Sequence, residues 1–478
     1  MKNITQYKLL TWLMAGGIFC LSTGCKKMIE VDLPPTTIGR EDVFENDRTA
    51  FAAVSSIYRR MMQQNTRITS GNFSISFAGA VSADEMQMPA NTQSDLNGFY
   101  KNDVPTRVRY IWDELYFHIY ECNMAIEGIA DSQSMTQKAK THLNGQTHFL
   151  RAFFYFYAVN LFGDVPLAVT SDYRINNTLT RTPVTMVYDQ ITSDLKIAAE
   201  QISDEYLLNM DTALADRIVP NRYAANALLA RVYLYRKDWR NAADEATKVI
   251  DNPFYHLEPD LLNVYLKLSS EAIFQLNSVT PGYNTFEATT FYIPPGTAPN
   301  VINGYINPAL LNVFENGDKR MNSWIGRSDV AATSTSPTVS YYFPYKYKIR
   351  ERPEIIEYLM VLRLAEQYLI RAEARAQLGD LTGSAADLNL IRSRAGLAPT
   401  TASVKEELLA AIAHERQVEL FTEWGHRWFD LKRSGNIDNI MPAVCATKGT
   451  VWKTTAQLLP VPIDEILINP NLKQNPGY

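Results

Sequence analysis

The chain has 478 residues, of which 46% are hydrophobic and 20% are charged. This length and composition are typical of a folded globular protein with one large domain or several ordinary ones, and they exclude a disordered or low-complexity chain. Lysine and arginine together number 46 against 51 acidic residues, which gives a net charge of -5. Because the basic excess needed to bind a phosphate backbone is absent, nucleic acid is not expected as a partner.

The N-terminus has the layout of a secretory signal. Two lysines lie within the first eight residues, residues 9–20 are apolar, and small residues lead up to Cys25. The apolar stretch is shorter than the ~20 residues that a membrane helix needs. We therefore expect residues 1–24 to be a lipoprotein signal peptide and Cys25 to carry the lipid, with ordinary signal cleavage as the alternative.

Two thiols are left after that cleavage, those of Cys122 and Cys445. An exported protein is in a compartment that permits a disulfide, but two distant cysteines do not make a disulfide framework. A bridge between them and two buried free thiols are both compatible with the sequence.

Apolar residues recur at steps of three and four along several stretches, which predicts amphipathic helices. The expected helices cover residues 50–62, 108–129, 142–162, 357–378, 382–395 and 404–431. Between residues 253 and 351 this period lapses and Gly, Pro, Asn and Thr rise, which favours loops and short strands, with a strand over 341–349. An irregular tail is expected for the last 20 residues, so the predicted fold class is mainly α.

Small and aromatic residues over 229–246 follow the spacing of a tetratricopeptide-like helix pair. Residues 372–386 repeat this spacing loosely, and Tyr155 with Gly163-Asp164 echoes it. The copies lie much further apart than the ~34-residue tetratricopeptide period. They are therefore predicted to be helix pairs within a domain with long insertions, not a continuous solenoid.

Five segments resemble the SusD/RagB family, the outer-membrane lipoproteins of the Bacteroidetes that work beside a TonB-dependent transporter. They are the double-proline opening Ile29–Thr37, the aromatic segment RAFFYFYAVNLFGDVP at 151–166, the segment RLAEQYLIRAEA at 363–374, the segment GHRWFDLKR at 425–433 with His414-Glu415-Arg416 and Glu419-Leu420 before it, and the closing NPNLKQNPGY at 469–478.

The resemblance implies a SusD-like fold with tetratricopeptide-like helix pairs and a loop-rich ligand face. It implies an N-terminal part over 25–255 and a C-terminal part over 256–478, with a loop-rich insert at about 256–350, the two parts forming one compact domain. The implied function is to capture an oligosaccharide or polysaccharide at the cell exterior and deliver it to a SusC-like transporter. The alternatives are a scaffold for proteins or peptides at the outer membrane, and, third, a glycan-cleaving enzyme.

Motifs for enzymatic chemistry are missing from the mature sequence. It contains no Gly-x-Ser-x-Gly, phosphate loop, dinucleotide fingerprint or His-Glu-x-x-His pair, so no enzyme, cofactor or metal site is predicted. The acidic cluster Ser82–Glu85 is interpreted as a turn, cap or packing element. The charged residues of the segment around 416–433 are expected to pair with one another and to hold the tail; they are Arg416, Glu419, Arg427, Asp430 and Arg433.

Carbohydrates stack their C–H faces on exposed aromatic rings and bond their hydroxyls to amides and charged groups. Aromatic residues are denser between 281 and 347 than in the chain as a whole. The candidate ligand-binding residues there, which lie among Gly, Pro and Asn, are Tyr283, Phe291, Tyr292, Tyr305 and Trp324. A second candidate patch comprises Asn97, Phe99 and Tyr100, with Asn91 and Gln93.

Buried packing is the alternative for each of these rings, since most large aromatic side chains are buried. Four further aromatics, Tyr341, Phe343, Tyr345 and Tyr347, share one strand face and are predicted to be core. We expect alanine at Tyr292 or Trp324 to weaken glycan binding and to leave the melting temperature nearly unchanged.

Overall fold

The structure is a computed structural model that describes residues 40–63, 68–300, 302–332 and 336–478. The predicted signal peptide, Cys25 and the double-proline segment lie outside the described residues. The chain divides into two units, residues 1–43 and 44–478. Of the first unit, the structure describes only the short helix α1, Arg40–Val43.

The second unit is built mainly from helices, as the sequence predicts. In chain order they are α2 Asp47–Met61, α3 Ile75–Ser82, α4 Ser94–Tyr100, α5 Tyr110–Asp131, α6 Gln137–Phe162, α7 Tyr173–Asn176, α8 Val184–Gln201, α9 Arg222–Tyr235, α10 Trp239–Ile250, α11 Phe286–Phe291, α12 Pro308–Leu311, α13 Lys319–Trp324, α14 Leu364–Leu378, α15 Leu381–Arg394, α16 Lys405–Glu419, α17 His426–Ser434, α18 Ile437–Thr447 and α19 Ile463–Ile468.

The strands of this unit are short and pair two by two, all antiparallel. They are β1 Met86–Gln87 with β7 Tyr305–Ile306, β2 Val165–Pro166 with β3 Arg181–Thr182, β4 Leu207–Asn209 with β5 Thr212–Ala213, β6 Ala272–Leu276 with β10 Leu359–Arg363, and β8 Ile325–Val330 with β9 Val339–Pro344.

Helix pairs stack in one row through the second unit. Helix α6 contacts α8, α8 contacts α9, α9 contacts α10, α10 contacts α14, and α14 contacts α15. The two predicted tetratricopeptide-like pairs, α9 with α10 and α14 with α15, therefore lie side by side although the loop-rich segment separates them in the chain. Fully buried alanines such as Ala230, Ala246 and Ala372 let these helices approach closely.

An aspartate caps the second helix of each of these two pairs, and Asp164 does the same at the start of α8. Its carboxylate accepts a hydrogen bond from a backbone N–H in the first turn of that helix, which offsets the unpaired donors of a helix N-terminus. The three bonds are Val184 N–H to Asp164 at 2.9 Å, Asn241 N–H to Asp238 at 3.3 Å and Gly383 N–H to Asp380 at 2.9 Å.

Three expected elements differ from the observed ones. The helix predicted over 357–378 begins at Leu364, because Leu359–Arg363 is a strand buried on both faces, and periodicity cannot identify such a run. The helix predicted over 404–431 is two helices, since Thr422, Trp424 and Gly425 have left-handed φ values of 54°, 46° and 70°. The tail contains the short helix α19.

The C-terminal tail is held by amide and backbone groups. The Nδ2 of Asn475 donates to the carbonyls of Phe162 at 2.9 Å and Leu459 at 2.7 Å, and Arg181 donates to the carbonyl of Lys473 at 2.7 Å. The expectation that the charges of α16 and α17 hold the tail is therefore wrong. Instead, the tail lies against the end of α6, so the segments 151–166 and 469–478 meet.

Cys122 and Cys445 are separate, buried thiols and form no disulfide. Within the described part of the chain, none of the helices has both the length and the apolar character needed to cross a membrane.

Candidate functional site

The β8–β9 pair places its aromatic residues on two faces. Ser328 lies opposite Tyr341, Arg327 opposite Tyr342, and Gly326 opposite Phe343. Because successive side chains of a strand point to opposite faces, Tyr341 and Phe343 lie on one face and Tyr342 on the other. The guanidinium of Arg327 covers the ring of Tyr342 at 5.8 Å from its centroid.

Partly exposed tyrosines gather on the first of these faces. The ring of Tyr292 lies 5.4 Å from Phe343 and 6.4 Å from Tyr345, and the ring of Tyr305 lies 5.3 Å from Tyr341, centroid to centroid. The predicted residue Tyr283 is also partly exposed, but its ring packs on Phe286 and its backbone forms an isolated β-bridge with Glu351, so it is not joined to these pairs. We call the joined set the tyrosine surface: Tyr292, Tyr305, Tyr341 and Tyr345, each partly exposed.

The loops that carry the tyrosine surface are fixed by hydrogen bonds. The buried hydroxyl of Ser328 donates to the carbonyls of Pro294 at 2.9 Å and Thr297 at 2.8 Å, which ties the Pro-Pro-Gly turn to β8. The Nδ2 of Asn303 donates to the carbonyl of Tyr292 at 3.0 Å. The support of the Tyr292 ring is thus in place before any ligand arrives, which lowers the entropic cost of binding.

Two cations lie over rings of the tyrosine surface. The guanidinium of Arg350 lies 4.7 Å from the ring centroid of Tyr292, and Lys348 Nζ lies 5.0 Å from that of Tyr345. Lys348 donates to the carbonyls of Ser323 and Tyr345, at 2.9 and 2.8 Å. By contrast, the Arg350 side chain is 40% exposed, and its Nη2 lies 3.9 Å from the exposed carboxylate of Glu351. Arg350 is therefore the more accessible of the two cations for a ligand.

The hydroxyls of Tyr305 and Tyr345 stay protonated at neutral pH because their pKa values are raised. Burial, and then the neighbouring Tyr341, raises the pKa of Tyr305. Burial, followed by Tyr292 and Glu357, likewise raises the pKa of Tyr345. A neutral phenol both donates and accepts a hydrogen bond, so each hydroxyl can pair with a sugar hydroxyl in either sense.

The second predicted patch reaches the tyrosine surface through Gln87. The hydroxyl of Tyr100 donates to Gln87 Oε1, and Gln87 is the register partner of Tyr305 in the β1–β7 pair. Burial, and then Tyr305, raises the pKa of Tyr100 to about 12. Tyr100 itself is buried, whereas Asn97 on α4 is partly exposed and Asn91 and Gln93 are exposed.

Besides Tyr100, three predicted ligand residues are corrected by the structure, since their rings are also buried. Trp324 is 0% exposed, and its Nε1 donates to the carbonyl of Leu261 at 3.0 Å. Phe291 packs against Phe77, and Phe99 packs against Phe73, with ring centroids 5.4 and 6.1 Å apart. None of the three presents a face to a ligand, because each lies on the inward side of its helix.

Trp324 lies instead within a buried cluster of charges behind the tyrosine surface. Arg320 pairs with Glu415 at 2.6 Å and Glu419 at 2.9 Å, and Arg363 pairs with Glu419 at 2.6 Å. We call this cluster the buried ion network: Glu271, Asp318, Arg320, Lys346, Arg363, Arg394, Glu415, Glu419 and Glu423.

The network keeps the carboxylate of Glu419 ionised. Burial alone would raise the pKa of Glu419, but the guanidiniums of Arg394, Arg363 and Arg320 hold it well below its usual range. Lys346 Nζ lies 5.0 Å from the ring centroid of Trp324 and donates to the carbonyl of Phe421 at 2.8 Å. Because Lys346 directly follows Tyr345, it anchors the segment that carries Tyr345 to the buried ion network.

The charges of the 416–433 segment are structural, as the sequence suggests. Asp430 accepts hydrogen bonds from Arg416 and Arg433, both at 2.7 Å. Arg427 makes a two-pronged contact to Asp84, at 2.8 and 2.6 Å. The acidic cluster Ser82–Glu85 is therefore a packing element. Glu419, however, does not pair within its own segment but with the network.

Sequence reasoning missed four residues of the candidate site. Tyr341 and Tyr345 were predicted to be core with Phe343 and Tyr347, yet only the latter two are buried. The alternating pattern correctly places Tyr341 and Phe343 on one face, but it cannot show where the covering layer ends. Arg350 and Gln87 carry no sequence signal, since their roles depend on Tyr292 and Tyr305.

Two family models match the chain in order. Residues 45–234 match a family described as "Starch-binding associating with outer membrane", and residues 278–478 match the SusD family. The chain belongs to the SusD/RagB family. The second match covers every residue of the tyrosine surface, and the family's association with the outer membrane agrees with the expected location.

Known relatives share this fold over nearly their whole length. SusD-like protein P2 of Formosa agariphila is 27% identical, over 95% of this chain and 97% of the relative. A solved laminarin-binding SusD-like protein is 25% identical, with a TM-score of 0.74 over 91% of this chain and 100% of that one. Surface glycan-binding protein A from Bacteroides fluxus is 22% identical, with a TM-score of 0.74 over 90% and 99%. The expected SusD-like fold is confirmed.

Proposed function

We propose that this SusD/RagB protein is a non-enzymatic glycan-binding subunit of an outer-membrane uptake system. The tyrosine surface captures an oligosaccharide or a segment of polysaccharide. The protein is held at the outer face of the membrane by a lipid on Cys25. It then passes its ligand to a SusC-like TonB-dependent transporter.

The observation that carries the binding proposal is the row of partly exposed rings on fixed loops. Tyr305 and Tyr341 form one contacting pair, and Tyr292 with Tyr345 forms another, on the same strand face. Such rings stack on the C–H faces of sugars, while their hydroxyls and Arg350 can pair with sugar hydroxyls. The laminarin-binding neighbour and the starch-binding description of the family support the same ligand class.

One acid close to this surface, Glu357, is placed for a structural role rather than for hydrolysis. Glycoside hydrolysis requires two carboxyl groups that flank the scissile bond. The carboxylate of Glu357 is buried and accepts the backbone N–H groups of Lys348 and Ile349, at 2.9 to 3.0 Å. It is therefore held by the protein and faces away from a ligand.

Binding is tested with laminarin oligosaccharides and malto-oligosaccharides by isothermal titration. Tyr292→Ala and Tyr305→Ala should each weaken the better ligand about tenfold, or ~1.4 kcal/mol, because a stacking ring is lost. The matched control is Tyr342→Ala, which removes a tyrosine from the face of β9 opposite to Tyr341 and should leave affinity unchanged. Folded Tyr292→Ala and Tyr305→Ala variants with full affinity would refute the tyrosine surface as the binding site.

Delivery is tested by extracting the native protein from its own membranes in mild detergent. A large β-barrel transporter recovered in equal amount supports the uptake subunit. A solitary protein, or one that holds soluble partners, would instead support the scaffold that the helix pairs suggest.

A further inference from the structure

A cavity of about 240 Å³ lies away from the tyrosine surface and shares no residue with it. Three segments enclose it: one face of helix α5, the connection from Pro166 to Leu179, and the C-terminal residues from Glu465 to Leu472. At ~30 Å³ for each molecule of liquid water, this is the volume of about eight waters. The cavity therefore has room for one sugar ring, not for a chain.

Aromatic rings form the wall and the rim of the cavity. Trp112, Tyr116 and Tyr120 line it from successive turns of α5, since positions four apart share one helix face. Tyr173 and Ile468 stand at the mouth and are 69% and 66% exposed. In the described part of the second unit these two side chains remain largely uncovered, so the rim is open to a ligand.

The floor of the cavity is rigid because its carbonyl groups already have donors. Tyr116 Oη donates to Pro166 O at 2.8 Å, and Asn469 Nδ2 donates to Leu179 O at 2.8 Å. Asn176 differs from them. Its Nδ2 donates to Thr170 O at 2.8 Å, but its Oδ1 is buried and meets no hydrogen-bond donor anywhere in the described residues.

An unpaired buried carbonyl is costly, and a ligand hydroxyl would satisfy it once the Asn176 amide turns toward the cavity that this residue lines. Glu465 supplies a second acceptor to the cavity, and the nearest guanidinium, Arg109, lies 3.3 Å from its Oε1. Among the described residues that line the cavity there is no lysine or arginine. An anionic ligand therefore has no counter-charge there, whereas a neutral polyol finds acceptors and stacking rings.

We propose that this cavity is a second saccharide subsite, which takes a single neutral sugar ring at the end or at a branch of a glycan. The proposal rests on the proposed function, because it concerns a glycan that the tyrosine surface holds elsewhere along its length. When two subsites bind the same glycan chain, binding at one raises the effective concentration of the glycan at the other. The overall affinity then rises without any new contact at the tyrosine surface.

The test compares three variants of the full mature chain with the wild type. They are Tyr173→Ala, Tyr173→Phe, and the double variant Tyr292→Ala with Tyr305→Ala. The probes are glucose, a short laminarin oligosaccharide and long-chain laminarin. Tyr173→Ala should weaken long-chain laminarin about fivefold and leave the short oligosaccharide unchanged, because only the long chain reaches both sites. Tyr173→Phe keeps the ring and should behave as wild type. Tyr173 is exposed, so neither change threatens folding.

In the Tyr292→Ala, Tyr305→Ala background, weak glucose binding should persist and be lost on adding Tyr173→Ala. If Tyr173→Ala has no effect while the tyrosine-surface pair abolishes binding, the subsite is refuted and the proposed function stands. If the pair has no effect, the proposed function fails at its own site, independently of Tyr173. Loss of a co-extracted membrane protein from Tyr173→Ala, with laminarin affinity intact, would overturn the subsite and assign the cavity to a protein partner.

Discussion

Gly326 and Phe343 face each other across the β8–β9 pair, and a Cβ atom at Gly326 would lie 2.4 Å from the Phe343 ring. The ring therefore lies across the glycine, in the way that aromatic residues cover glycines on a neighbouring strand. Because Tyr292 and Tyr345 both pack on Phe343, the position of the tyrosine surface depends on a residue with no side chain.

Gly326→Ala should displace the Phe343 ring and weaken laminarin-oligosaccharide binding several-fold. Overpacking of this kind should also lower the free energy of unfolding by about 1–3 kcal/mol. The control is Arg327→Ala, whose side chain lies on the other face of the strand. Titration calorimetry and urea denaturation of both variants measure the two effects; an unshifted affinity in Gly326→Ala would contradict this account.

Trp324→Ala should destabilise the protein by about 3–5 kcal/mol, since it removes a fully buried indole. It also removes the ring against which Lys346 and Arg363 pack, at 5.0 and 6.0 Å from its centroid. This replaces the expectation, drawn from sequence, that its melting would be unchanged. The melting temperature of Trp324→Ala is compared with that of Tyr292→Ala, which should differ little from the wild-type value. Equal melting temperatures for the two variants would argue against a core role for Trp324.

Arg427→Ala should lower stability by about 3–5 kcal/mol, because it leaves the Asp84 carboxylate poorly hydrated and unpaired. The side chains of the pair are only 12% and 11% exposed. A double-mutant cycle with Asp84→Asn isolates the interaction, and the double variant should be more stable than the sum of the single effects predicts. Strict additivity would show that the two side chains do not interact.

Glu287→Gln should reduce the pH dependence of stability. Burial is the main reason that the pKa of Glu287 rises from 4.5 to about 8. Between these values the folded protein keeps a proton that the unfolded chain releases, so stability falls as pH rises through this window. Glutamine mimics the protonated acid and cannot titrate. Urea denaturation at pH 5, 7 and 9 measures the free energy of unfolding, which should fall less steeply with rising pH in the variant than in the wild type. Parallel pH dependences would show that Glu287 does not titrate in this window. A decline should persist in the variant, because burial, and then Asp84, also raises the pKa of Glu85 to about 8.

Lys448→Met should destabilise the protein by about 2–4 kcal/mol. The ammonium group donates to the carbonyls of Val81, Ser82 and Ala83, at 2.7, 3.1 and 2.7 Å, where helix α3 ends. The carbonyls of Val81 and Ala83 would lose this donor, whereas that of Ser82 keeps the Asn102 Nδ2 at 3.1 Å, and the C-terminal end of the helix would lose a nearby cation. Lys453→Met is the matched control, since that lysine is 59% exposed. Similar unfolding free energies for both variants would contradict the capping role.

The sequence predicts the helices well because their apolar faces repeat over many turns, as in α5 and α6. It fails at β10, where burial on both faces erases the period, and at Thr422 to Gly425, where three left-handed residues break a helix. Neither feature follows from local propensity alone, because tertiary packing decides both.

At the candidate site, composition identifies the right segment but not the right rings. Tyr292 and Tyr305 lie in the predicted loops and are partly exposed, whereas Trp324 lies in a similar stretch and is buried. The difference arises from Lys346 and Arg363, which surround Trp324 from other parts of the chain. Tyr341 is partly exposed for the converse reason, since β8 is the only strand in the described residues that pairs with its own.

The contacts of α3 and the residues after it have a consequence for the order of synthesis. Ser76 accepts the backbone N–H of Trp424 at 3.0 Å, Asp84 pairs with Arg427, and Lys448 caps the helix. The first tenth of the second unit thus depends on partners made in the last eighth of the chain. Pairings so distant in sequence form late and slowly. Until synthesis has reached Lys448, the nascent chain therefore leaves Asp84 or the end of α3 without its partner.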